Sequence, residues 1–301
     1  MNFDLGEVLT YAWQIAWKNK VLWLVGGVFG LFFSILFPLM MVPAFLPVIL
    51  RSTDLNRAGG FLIVGFFLFF ILFFLFMFPF SAFMQIVLTR GILNVAQDAG
   101  ELSIKELIRE SRPYFLKVLG LLLLYSLATT LITFMVQGVV MLLTILTLGF
   151  GMLCAMPLMM LSYPAMFFAI VWMEQAMNGI VIDDFAMMDA VRQDWFLIRK
   201  NLLPIGLMAL VVYFGVGMVS GALMMPFMAP IFIIPFSFVE NNNPNWAVLS
   251  ISFLCMLASA PIFALIFGWI MTFTKSAWVV TYLRLTRSAG EPQPILQESA
   301  A

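Results

Sequence analysis

The sequence contains no histidine, 2 cysteines among 301 residues, and 10% charged residues. Without imidazole, the usual base near neutral pH and the commonest metal ligand are both missing, and two cysteines build no disulfide framework. No cofactor and no metal site are expected. The 15 Lys+Arg balance the 15 Asp+Glu, so the chain lacks the basic field that gathers nucleic acid, and no such partner is expected. What fills the sequence instead is apolar: 63% of residues are hydrophobic, against roughly 45–50% in a soluble domain. That excludes a soluble globule and narrows the class to an integral membrane protein.

Charge is costly in hydrocarbon, so uncharged gaps mark out spans. Five gaps stand out: Val21 to Leu50, Ala58 to Thr89, Val118 to Met173, Asn201 to Val239 and Asn241 to Thr274. A span needs about 20 apolar residues. The gap from Val118 to Met173 suits two helices with a turn near Thr147, Gly149 and Gly151. The expected fold class is therefore an all-α integral membrane protein with six transmembrane helices, at roughly 21–42, 61–88, 118–139, 151–173, 202–224 and 247–274. Unbroken apolar runs exclude a β-barrel, whose strands alternate.

Lys18, Lys20, Arg90, Lys105, Arg109, Arg112, Lys117, Arg192, Arg199, Lys200, Lys275, Arg284 and Arg287 fall on one side of these spans, and only Arg51 and Arg57 on the other. The positive-inside rule then puts both termini in the cytoplasm and the protein in the cell membrane. Asp4 and Glu7 stand where a signal peptide has a basic region, so the N-terminus is expected to be retained.

A charged segment with helix-start chemistry precedes each odd-numbered span. Asp4-x-x-Glu7 and Ser103-x-x-Glu106 read as capping boxes, and Asp183 or Asp184 as a third cap. Leu5, Val8, Leu9, Ala12, Ile15 and Ala16 form an apolar stripe, which predicts an amphipathic helix along the cytoplasmic face. Trp13, Trp17, Lys18 and Asn19 at the end of the first segment match Trp195, Lys200 and Asn201 at the end of the third, and these seven are the expected membrane-interface residues. Prolines recur downstream, at Pro38, Pro43 and Pro47 and at Pro226, Pro230 and Pro235. The segments 38–50 and 225–236 are expected to be short broken or interfacial helices. The expected organisation is one domain, 1–287, in three two-span repeat units of about 3–90, 101–175 and 183–287, followed by a flexible cytoplasmic tail, 288–301.

The surface helix closing on Trp13 and Lys18-Asn19, the Gly100-Glu-Leu-Ser103 loop, and Glu174 ahead of a third surface helix resemble a broad family of poorly characterised six-span prokaryotic membrane proteins. That family is similar to the membrane domain associated with glycerophosphodiester phosphodiesterases. The resemblance implies a membrane domain without a catalytic residue of its own.

No ionisable residue falls well inside the six predicted spans, and Glu174 comes closest, at the inner end of the fourth. This disfavours a proton relay built on buried carboxylates. Ser126, Thr130, Thr133 and Gln137 share a face of the third span and are the candidate polar lining, against the blander reading of hydrogen bonds between helices. Gly26, Gly27 and Gly30, and Gly215, Gly217 and Gly221, would let helices approach closely. Cys154 and Cys255 read as small apolar residues, with nothing in the sequence that settles whether they meet. Walker, Ser-x-x-Lys and His-Glu-x-x-His motifs are missing. The expected function is that of a non-enzymatic multi-pass protein, with membrane lipids as partners, that organises or assists lipid or envelope processes. The alternative is a permease-like transporter subunit gripping a separate ATPase through segment 100–117.

Overall fold

A computed structural model describes residues 3–32, 34, 36, 59–97, 103–233 and 245–287. The first helix, α1 (Leu5–Lys18), starts where Asp4 accepts hydrogen bonds from the backbone N–H groups of Gly6 (2.8 Å) and Glu7 (3.2 Å). The capping box is half made, because Glu7 turns instead to Arg284, 2.8 Å away. Asn19 ends α1, and α2 (Lys20–Phe32) leaves at 84°. The Trp23 indole N–H donates to the Ala16 carbonyl across this corner.

Next come α3 (Gly59–Ala96), α4 (Ile104–Ser111) and, after a tight 3-10 turn at Arg112–Tyr114, α5 (Phe115–Leu146). The turn before α6 (Gly151–Ile182) falls where the sequence places it, with Gly149 at φ 100°, a conformation glycine adopts without strain. Then follow α7 (Met187–Lys200), α8 (Leu202–Leu210), a π-helical turn (Val211–Val216), α9 (Gly217–Ile233) and α10 (Trp246–Arg287).

The chain is an all-α, multi-span membrane protein, but the six-span, three-repeat expectation is overturned. Among the described residues, four stretches are long and apolar enough to cross a membrane: Val64–Ala96, Ile104–Leu146, Leu202–Phe227 and Ala247–Thr286. The bent pair α1 and α2 makes a fifth if it counts as one span. Apolar gaps mark where charge is scarce, not where a helix is long and straight. The first gap opens on α2 behind a sharp corner, and within α6 the apolar stretch found among the described residues is Met166–Ile182. The repeat fails for a related reason. The second charged segment makes no corner, and α4 runs into α5 as part of one 43-residue stretch.

Three local expectations also change. Ser103 stands at the N-cap of α4 without a side-chain cap bond, and α7 is preceded by Ala186, while Asp183 instead closes α6. Pro226 and Pro230 lie inside α9, so residues 225–233 continue as helix. A spanning helix tolerates proline where its neighbours satisfy the freed backbone groups. Segment 38–50, Pro235 and the tail 288–301 lie outside the described residues, as does the side chain of Cys154. Cys255 is a free thiol.

Packing is concentrated toward the charged ends of the helices. One buried cluster joins Val8, Ala12 and Ile15 of α1, Leu22 and Val25 of α2, Leu88 and Ile92 of α3, Met208 of α8, and Ala277 and Trp278 of α10. A second joins Ala82 and Ile86 of α3, Val118 and Leu121 of α5, Met177 and Ile180 of α6, and Ala190 of α7. Farther along, α3, α5 and α9 show Phe67, Leu75, Phe134, Leu142 and Met218 to their surroundings, as lipid-facing helices do. The glycines of α2 pack tightly: a Cβ at Gly26 or Gly27 would lie 3.0 and 2.9 Å from the carbonyl oxygens of Gly268 and Ala264 on α10. Gly217 and Gly221 have open space beside them and hold no such crossing.

Candidate functional site

Lys275 lies on α10, twelve residues before its end at Arg287, which is about 18 Å along the helix. Its ammonium donates to Glu174 Oε2 on α6 at 2.5 Å and to Gln85 Oε1 on α3 at 2.9 Å, and Met177 Sδ lies 4.0 Å away. Glu174 is 9% exposed and Lys275 3%. Three helices from distant parts of the chain thus meet at one charge pair. An ionised group so placed is tolerated only when paired and hydrogen-bonded, and here each charge answers the other. Each of the three residues follows by two positions an aromatic that packs on another element: Phe83 on Phe115, Trp172 on Trp195, and Phe273 on Trp13. This recurrence is local and does not make the chain three copies of a two-span unit.

A second polar group lies toward the charged end. The Tyr282 hydroxyl donates to Asp183 Oδ2 at 2.5 Å. Asp194 of α7 is 1% exposed, and burial, with the charge of Asp183 adding to it, pushes its carboxyl up to about 8. That end is held together by Glu7 with Arg284, Lys117 with Asp184 (2.6 Å) and Asn94 with Glu110 (3.3 Å). The starts of α1 and α5, the short α4 and the ends of α3, α6 and α10 therefore share one end of the bundle.

The interface residues sit at two comparable helix ends. Asn19 and Asn201 each donate from the side-chain amide to the carbonyl four residues back, Ile15 and Leu197, both at 3.0 Å. Lys18 and Lys200 are exposed. Trp13 is 47% exposed and stacks on Trp17 while meeting Trp269 edge-on, and Trp195 packs against Phe168 and Trp172. Trp13 also lines an apolar groove of about 560 Å³ with Leu9, Gly215, Val219, Trp269 and Phe273. The groove's two hydroxyls spend their donors on their own helices, Thr10 on Gly6 and Ser220 on Val216.

The candidate lining on α5 is not gathered around the charge pair. Ser126 and Thr133 are half-buried, while Thr130 and Gln137 are exposed. The cavity of about 310 Å³ between α5 and α6 is lined by Tyr125, Thr129 and Trp172 with apolar neighbours, and by none of those four. Lys275 is hidden in the sequence because charge marks the edge of a span, and Gln85 because it is uncharged and lies inside one. The available signal was one acid and one base, each at the edge of a long apolar run, able to neutralise one another. Among the described residues, no group of three or more His, Cys, Asp or Glu is placed to hold a metal ion.

No family model matches the chain, and neither a curated protein nor a solved structure matches it. The resemblance to the membrane domain associated with glycerophosphodiester phosphodiesterases therefore gains no support from relatives.

Proposed function

We propose that the chain is a non-enzymatic protein of transport type in the cell membrane, in which the Glu174–Lys275 pair is where a small charged species enters the bundle. One observation supports this reading: a buried ion pair, with Gln85 as third partner, at the meeting point of three helices. Apolar side chains of similar volume would pack such a crossing at least as well, and ionisable groups inside membrane bundles mark ion and substrate pathways. The positive-inside rule makes the end bearing Lys105, Arg109, Lys117 and Arg284 cytoplasmic. The exposed face of α4, with Lys105, Glu106 and Arg109, is where a separate ATPase would dock if the protein works as a permease subunit.

The test uses the purified full chain in sealed vesicles with a pH dye inside and a potassium diffusion potential across the membrane. Proton entry above that of empty vesicles, reduced at least tenfold by Glu174→Gln, supports the reading. Equal flux from wild type and Glu174→Gln overturns it. A second reading, assistance to a lipid or envelope process, is favoured by the groove at Trp13 and Trp269, whose mostly apolar lining, with both hydroxyls spent on their own helices, suits an acyl chain. Retention of a tightly held lipid that is lost in Trp269→Ala would favour it.

A further inference from the structure

Beyond the charge pair, α6 and α10 run side by side in the same direction. Lys275 meets Glu174, and seven residues later Tyr282 meets Asp183, nine residues after Glu174. Between these contacts lie Gln175 and Asn178 on α6 and Ser276 on α10, all without exposure to solvent. Asn178 is one turn on from Glu174 and shares its face. Among the described residues, no hydrogen-bond partner reaches Nε2 or Oε1 of Gln175, Nδ2 or Oδ1 of Asn178, Oγ of Ser276, or Oδ2 of Asp194. Gly179 lets Tyr282 and Asp194 come close at the shallow end: a Cβ there would lie 3.2 Å from the Tyr282 hydroxyl and 3.4 Å from Asp194 Oδ2.

Six orphaned polar atoms along one seam are as many as a whole domain usually carries. The amides of Gln175 and Asn178 cannot shed the cost by changing protonation, because they have no ionised form to abandon. Each offers both donors and an acceptor. The small species that satisfies donors and acceptors alike in a closed polar space is water, which typically makes about three hydrogen bonds when buried.

We propose that a file of bound water lies between α6 and α10, running from Asp194 at the charged end to the Glu174–Lys275 pair. Its consequence for transport rests on the reading of that pair given above. Each water passes on one proton and receives one, so the net step moves a proton from the aqueous phase to the Glu174 carboxylate. Lys275 then keeps its ammonium against Gln85 Oε1. On the far side of the pair Val171 on α6 and Ile270 on α10 are buried, the hydroxyl of the buried Thr272 donates to the Gly268 carbonyl, and the file ends there. The raised affinity of Asp194 for a proton suits a group at the mouth of such a path.

X-ray radiolysis forms hydroxyl radicals from bound as well as bulk water, so it oxidises a buried side chain that touches water. Met177, in the second apolar cluster but 4.0 Å from the Lys275 ammonium, and Met208, in the first, are both fully buried. In the full chain in lipid nanodiscs, Met177 should be oxidised at least tenfold faster than Met208. Asn178→Leu should bring Met177 down to the Met208 rate, with Ser276→Ala serving if that variant does not fold. Equal rates in the wild type, or unchanged Met177 labelling in the folded variant, would overturn the file. Strong Met177 labelling in a protein that moves no protons would support the file and count against the transport reading.

Discussion

Removing Lys275 tests whether the charge pair holds the bundle. The pair lies at 2.5 Å with exposures of 9% and 3%. At an effective dielectric constant of about 20, two unit charges at that distance attract by about 7 kcal/mol, most of which offsets the desolvation of both groups. Lys275→Met keeps the length of the side chain and strands Glu174 as an uncompensated buried charge. Breaking a buried pair from one side costs about 3–5 kcal/mol. Glu174→Gln strands the ammonium in the same way, although Gln85 Oε1 still accepts from it and softens the loss. The double variant strands neither charge. It should therefore be less destabilised than Lys275→Met alone, with a coupling above about 2 kcal/mol. The assay is thermal unfolding of the four proteins in one detergent, followed by tryptophan fluorescence. Single effects that add to within about 0.5 kcal/mol would mean that the groups do not interact, and the argument for a charge site would fall.

Three further outcomes can be measured. Asp194 binds its proton more tightly folded than unfolded, so stability should fall as pH rises from about 4 to about 8 and level off above that. Asp194→Asn should flatten that slope in unfolding curves, and an unchanged slope would place the titrating group elsewhere. Gly268→Ala drives a Cβ into the Trp23 carbonyl oxygen and the Gly27 backbone and should cost at least about 2 kcal/mol by overpacking. Gly217→Ala, in open space, should be neutral or gain up to about 1 kcal/mol from helix propensity, as denaturation would report. With both native cysteines replaced by Ser, Ser103→Cys and Asp189→Cys should react with an impermeant thiol reagent only after the cells are opened, and reaction from outside would reverse the proposed orientation.

Class was legible in composition, because nothing but lipid suits so many unbroken apolar runs. The turn after Leu146 was legible because glycine alone is at ease at the φ of Gly149. The helix ends at Asn19 and Asn201 were legible for a similar reason: a short amide side chain can bond the last carbonyls of its own helix. Span count was not legible. Charge spacing carries no information about the 84° bend at Asn19 or about α4 running on into α5. Pro226 and Pro230 were misread because membrane helices bear prolines that water-soluble ones reject. Glu174 and Lys275 were misread most consequentially, because each looked like an end and together they form a centre.

The π-helical turn at Val211–Val216 makes one site cheaper to change than the other. Ile205, Met208, Ala209 and Val212 form a buried stripe of regular helical spacing, yet Val219, which would extend it, is exposed and lines the groove with Gly215. A π turn holds an extra residue against the α-helical period, so the helix beyond it is out of phase with the helix before. Rewinding these six residues as α-helix without changing their number would bring Val219 round toward the stripe and close the groove. A local change of winding on one helix is thus enough to make or erase a groove of this kind. The charge site needs matched changes on α3, α6 and α10 at once, and it is the feature that gradual mutation reaches with more difficulty and gives up at greater cost.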